Sequence, residues 1–179
     1  VHLKLIWEFY TLNKTTLLNI KSSLEESGLR PRVIFLMRDP IERIWSSARM
    51  KKRELPESSS KNFDEFKFLK KLPKNHSHAK KSDYQQTIRN LESAFDPSQI
   101  YYGFYESLFQ KEFKNKLQQF LGIPLKDFDN DQVFNASPKS NVMPLELRNK
   151  LLNMFSETYA FCADRFGSQV TDVWNGYSS

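Results

Sequence analysis

Glycine is scarce. Only five stand among 179 residues, and none of them cluster, so no glycine-rich loop of the kind that cradles nucleotide phosphates can be drawn from this chain. There is one cysteine, Cys162, which excludes an intramolecular disulfide and any cysteine-built metal site. It falls in the apolar stripe of an expected helix, so it reads as an inert core thiol. A lone free thiol suits a reducing cytoplasm, although a secretory lumen remains compatible. No apolar run approaches the ~20 residues of a membrane helix, and the start of the chain does not read as a signal peptide. Histidines number three. His76 and His78 are one residue apart, but nothing nearby completes a metal site, so no metal is expected.

What is present points to one globular domain over residues 1–179. Hydrophobic residues make up 39% and aromatics 14%, with 15 Phe, which argues against disorder although the mean hydropathy is -0.61. The formal charge is +6 and the pI about 9.3, a balance that suits an anionic ligand: nucleotide, polysaccharide or nucleic acid. Asn13, Asn75 and Asn135 each open a short glycosylation-type triplet of a kind that chance also produces.

Along the chain, Val1 to Tyr10 fits strand and helix periods alike. Thr16 to Ser27 reads as a helix with Leu17, Ile20 and Leu24 on one face, stopped at Gly28. Arg32 to Met37 is a continuous apolar run, expected to be a buried parallel strand. The following helix is signalled best: Asp39 as N-cap, Pro40 at the first helical position, Glu42 completing a capping box, and an apolar face of Ile41, Ile44, Trp45 and Ala48. Lys51 to Lys61 and Pro73 to Lys81 read as loops, with a short helix around Phe63, Phe66, Leu69 and Leu72 between them. Ser82 and Gln85 suggest a second capping box before Tyr84, Ile88, Leu91 and Phe95. Gln99 to Phe104 is a second strand, and Phe113 to Leu121 a helix closed by Gly122 and Pro124. Asp127 to Asn141 looks irregular, and Pro144 opens one long last helix ending at Gly167. Strands alternating with capped helices imply a three-layer α/β fold.

The chemistry centres on the stretch from Val33 to Ser46. A strand ends in Arg38 and turns at once into a helix, and ligands of open α/β sheets bind at the carboxyl ends of strands. The Arg38 fork suits phosphate. Ser46 falls on the face opposite Ile41, Ile44 and Ala48, so arginine and serine could hold one phosphate from two directions. Alternatively, Arg38 pairs with Asp39 or Glu42 and Ser46 is a solvated helix residue.

The run Arg38-Asp39-Pro40, with Ser46 eight residues after the arginine and an apolar strand before it, resembles the 3′-phosphate-binding motif of sulfotransferases that use 3′-phosphoadenosine 5′-phosphosulfate (PAPS). Further segments match that family in order. Ser82-Asp83-Tyr84 resembles its tyrosine-bearing helix, and Gln99 to Leu108 its strand ending in Tyr105-Glu106-Ser107-Leu108. Phe120 to Ile123 resembles its next helix end, and Asn135 to Lys139 its C-terminal basic loop. The resemblance runs from about Leu29 to Gly167. It implies a P-loop-NTPase-like three-layer fold with a parallel sheet, and transfer of a sulfuryl group from PAPS to a hydroxyl or amine acceptor, leaving adenosine 3′,5′-bisphosphate. It implies cofactor contacts from Arg38, Ser46, Tyr84 and Lys139. Tyr84 equally starts a clean apolar stripe, and Lys139 equally reads as a surface lysine. The basic stretches at Lys51 to Arg53, Lys70 to Lys74 and Lys80 to Lys81 would suit a carbohydrate polyanion as acceptor, or are solvated surface.

The family's opening strand and phosphosulfate loop have no counterpart before Arg38. Lys14-Thr15-Thr16 lacks the preceding glycine, so the fold is expected to be incomplete at its N-terminus and the chain inactive by itself. The catalytic lysine and base are therefore unnamed. Two rivals stand: a P-loop nucleotide-kinase-like enzyme, which needs the absent loop, and a non-enzymatic nucleic-acid-binding module, against which the aromatics fall at core spacings. Nucleic acid is accordingly not expected as a partner.

Overall fold

The computed structural model describes residues 12–74, 76–125 and 142–177. In chain order these form helix α1 (Lys14–Glu26), strand β1 (Val33–Met37), and helices α2 (Pro40–Glu54), α3 (Glu57–Ser60), α4 (Glu65–Lys71), α5 (Ser77–Lys80) and α6 (Tyr84–Glu92). Strand β2 (Ile100–Phe104) follows, then helices α7 (Lys111–Leu121), α8 (Leu145–Met154), α9 (Ser156–Phe166) and α10 (Ser168–Thr171). The result is a mixed α/β chain with a small parallel sheet. β1 and β2 pair in parallel, Val33 opposite Ile100 through Met37 opposite Phe104. Two compact units emerge: Val1–Met37 with Asp83–Leu125, and Arg38–Ser82 with Lys126–Ser179.

The first unit is built on the sheet. Val33, Phe35 and Met37 alternate into its core, while Leu36 is 40% exposed. The apolar run is therefore covered on one face more than the other among the described residues, not sealed on both as its composition suggested. Phe35 meets Tyr84 edge to face at 5.9 Å, with Ile88 and Leu91 buried beside it on α6. Gly103 in β2 is a point of close approach: a Cβ there would lie 2.7 Å from Leu36 Cδ2 and 2.8 Å from Phe113 Cε2. Helix α7 closes on Gly122 in the left-handed region at φ 68°, as its sequence position suggests. The cap of α6 is shifted by one from expectation. Asp83, not Ser82, accepts the N-terminal amide of Gln86.

In the second unit α2 packs on α4, α5 and α8. Its apolar face is as expected: Ile41, Ile44, Trp45 and Ala48 are buried. Yet α2 continues through Lys51, Lys52 and Arg53, where a loop was expected, because cations in a last turn complement the helix dipole. The supposed loops also contain the single turns α3 and α5. The long last helix is two helices. Ser156 Oγ donates to the Asn153 carbonyl at 3.0 Å, closing α8 around Phe155 before α9 starts. Ser82 is fully buried here, and its carbonyl accepts from Thr158 Oγ1 at 3.1 Å, which ties its backbone to α9. The expectations for Val1 to Tyr10, Asp127 to Asn141 and Lys139 lie outside the described residues.

Candidate functional site

Arg38 directly follows the last residue of β1, and Asp39 starts α2. The Asp39 carboxylate is 2% exposed and does more than cap. Its Oδ1 accepts from the amides of Ile41 (2.8 Å) and Glu42 (3.1 Å) and from the Tyr159 hydroxyl (2.8 Å). Its Oδ2 accepts from the Gly176 amide at 2.9 Å. One carboxylate therefore fixes the first turn of α2 and fastens the end of the chain to it. The sequence signalled the cap but not the second pair of donors, which arrive from 120 and 137 residues away. Gly176 is the residue that the approach requires. A Cβ there would sit 2.1 Å from the Tyr159 ring, so the backbone can reach Asp39 only without a side chain.

With the helix start held, Arg38 and Ser46 take defined places in one unit. The Arg38 side chain is 23% exposed, and its Nη2 lies 3.6 Å from Glu42 Oε2, so the expected alternative of pairing with Glu42 is realised. Ser46 is half-buried, and its hydroxyl makes no hydrogen bond among the described residues. Its neighbour Ser47 differs: that hydroxyl donates back to the Arg43 carbonyl at 3.1 Å. The serine that is eight residues from the arginine is thus the one left available to a ligand.

Further cations and carboxylates surround this pair. Arg49 is buried, with its guanidinium 5.0 Å over the Trp45 ring. Trp45 Nε1 donates to Glu65 Oε2 at 3.0 Å, and Lys52 lies 3.9 Å from Glu65 Oε1. Burial pulls the Arg49 pKa below the ordinary arginine value, against the opposing fields of Glu42 and Glu65.

The other candidates fare differently. Tyr84 belongs to the first unit and is fully buried against Phe35, which is the packing alternative; in this conformation it has no surface to offer a nucleotide. Lys14 is exposed at the first position of α1, whose N-cap is Asn13, so Lys14-Thr15-Thr16 is helix and not a phosphate loop. His76 and His78 stack at 5.1 Å, and His76 Nδ1 accepts from the His78 amide at 3.2 Å. No group of residues that could hold a metal occurs among the described residues. Cys162 is buried, and desolvation pushes its thiol pKa up to about 12, the profile of an inert core thiol.

These observations define a mixed α/β protein whose best-built polar cluster is cationic and lies at the start and along one side of α2. A family model described as the sulfotransferase domain matches residues 12–153, most of the chain. The chain belongs to the sulfotransferase domain family. The match begins before the region where the resemblance was legible and ends before Gly167. No curated protein matches the chain.

Proposed function

We propose that this chain is a PAPS-dependent sulfotransferase domain in which Arg38 and Ser46 hold the 3′-phosphate of the donor. The observation that carries the reading is the placement of two groups around the start of α2: a half-buried guanidinium just before it and an uncommitted hydroxyl on it, eight residues apart in one unit. The residues fit the group, since a phosphate monoester wants a bidentate cation and a neutral donor. When bound, PAPS supplies an activated sulfuryl group, and the acceptor supplies a hydroxyl or amine. Arg38 and Ser46 orient the nucleotide end; they are remote from the reacting sulfur. The family match passes through both compact units, which supports treating residues 1–179 as a single sulfotransferase-like domain with the P-loop-like layered sheet of that family. The acceptor class that best suits the basic stretches of α2 to α5 is an anionic carbohydrate. No metal enters this reading.

Calorimetric titration tests it. Adenosine 3′,5′-bisphosphate should bind more tightly than adenosine 5′-phosphate, and Arg38→Ala should cost roughly 1.5–3 kcal/mol of the bisphosphate affinity, the scale of a charged hydrogen bond. Equal affinity for the two nucleotides would refute the assignment.

A further inference from the structure

Arg49 is the least satisfied cation in the described structure. It is 7% exposed, and its Nε and Nη1 are buried without a hydrogen-bond acceptor among the described residues. Nearby carboxylates do not fill that need. Glu42 Oε2 lies 3.6 Å from Arg38 and, though buried, accepts no hydrogen bond among the described residues, and Glu65 receives Trp45 Nε1 at 3.0 Å with Lys52 at 3.9 Å. Both act on Arg49 through their fields while Arg38 and Arg53 oppose them. The cluster of Arg38, Arg49, Lys52, Arg53, Glu42 and Glu65 thus has four cations and two anions. Buried donors with unmade hydrogen bonds are costly, and structures keep them mainly where another group completes them.

Position says what that group is. Arg49 lies three residues after Ser46 on α2, so the two are neighbours on one helix face. Glu42 is two turns before Arg49 on the same stripe, and it is the carboxylate already engaged by Arg38. In sequence Ser46 thus falls between Arg38, just before the helix, and Arg49, three residues on. A surplus of two positive charges and the two unmade N–H donors of Arg49 complement a phosphate monoester.

We infer that Arg49 is a third holder of the donor's 3′-phosphate, donating its Nε and Nη1 hydrogens to the phosphate oxygens beside Arg38 and Ser46. The assignment rests on the donor-site reading above. Access comes from the side chain itself. For a phosphate to reach these donors Arg49 must turn on the Trp45 ring, and a flat cation stacked on a flat ring keeps much of its attraction as it turns. The alternative role, a packing residue on Trp45, makes the opposite prediction for binding.

The test uses the 179-residue chain with Arg49→Met and Arg49→Lys, titrated with adenosine 3′,5′-bisphosphate and with adenosine 5′-phosphate, and melted without nucleotide. Arg49→Met should lose about tenfold or more in affinity for the bisphosphate and nothing for the monophosphate, the scale of one charge-assisted fork. Its nucleotide-free melting temperature should equal or exceed that of the parent, because the unmade hydrogen bonds are gone. Arg49→Lys, which keeps the charge and the bulk, should fall between and serves if the methionine variant does not fold. A parent that prefers the bisphosphate and variants that prefer it equally would overturn the role of Arg49 alone. Loss of both nucleotides in proportion, with a lowered melting temperature, would make it a packing residue. A parent with no preference would remove the donor site itself.

Discussion

The two units solve the same problem with different materials. The first unit balances nine Lys and Arg against eight Asp and Glu, and its interior is apolar but for Thr87, whose hydroxyl donates to the Asp83 carbonyl at 3.2 Å: Phe35, Met37, Tyr84, Ile88 and Leu91 stand around a parallel strand pair. In the second, residues 38–82 alone carry 13 basic side chains against six acidic, more surplus than the whole chain's +6. Its interior includes Asp39, Arg49, Ser82 and Thr158 among the buried groups. Apolar packing needs only volume and pattern, whereas buried polar groups need every partner in place. The first unit is thus a platform, and the second concentrates the charge and the unmet hydrogen-bonding capacity expected of a site.

Breaking the anchor of the second unit should have the largest effect. Asp39→Ala removes a helix cap, worth about 1 kcal/mol. It also strands the buried Tyr159 hydroxyl, a loss of about 1–3 kcal/mol, and the half-buried Gly176 amide, a loss of up to about 1 kcal/mol. Urea unfolding should therefore show a loss of roughly 2–5 kcal/mol. A loss confined to the cap value would mean that the end of the chain adds nothing to the hold on α2.

The platform should break for a steric reason instead. Gly103→Ala places a methyl group 2.7 Å from the exposed Leu36 side chain and 2.8 Å from the buried Phe113 ring. Overpacking of this kind costs about 1–3 kcal/mol. Denaturant unfolding that is unchanged would show that Leu36, at 40% exposure, simply swings aside. That result would make the platform softer than its apolar composition implies.

Which parts were legible follows from the range of the signal. The cap at Asp39, the stripe of Ile41, Ile44, Trp45 and Ala48, the stop at Gly122 and the parallel reading of β1 all depend on residues within a few positions of one another. They were readable from the sequence, as was the spacing of Arg38 and Ser46. The break at Phe155 depended on the back-bond of Ser156, a choice among several that serine offers. The extra turn of α2 was hidden because a run of Lys and Arg reads equally as loop and as a helix C-terminus. The second half of the Asp39 network was not legible at all, since hydrogen bonds spanning more than 100 residues leave no local pattern. Arg49 was passed over for a related reason: its role depends on which acceptors are missing around it, and periodicity shows only what is adjacent.

The smallest predicted effect sharpens the comparison through pH. His78 is half-buried in the second unit, stacked on His76 at 5.1 Å and set edge-on to Phe68 at 6.1 Å. Burial lowers its pKa from the ordinary histidine value of 6.5, and the positive fields of Lys81, His76 and Lys51 lower it further against the weaker pull of Glu54. The sign follows from proton counting. With the folded pKa below the unfolded one, the unfolded chain binds more protons between them, so stability rises with pH through that window. The neutral histidine's contribution is fully present above pH 6.5 and is lost as pH falls toward the folded value. A melting series from pH 7.5 down to 5 should therefore decline, and His78→Gln should flatten the decline by no more than the slope of a single proton. No such group was found in the first unit, where the shifted groups among the described residues are Asp96 and Tyr101, which titrate outside this range. An unchanged slope in the variant would mean that His78 titrates as it does in the unfolded chain. The basic environment of residues 38–82 would then be screened at α5, even where its own lysines crowd a half-buried ring.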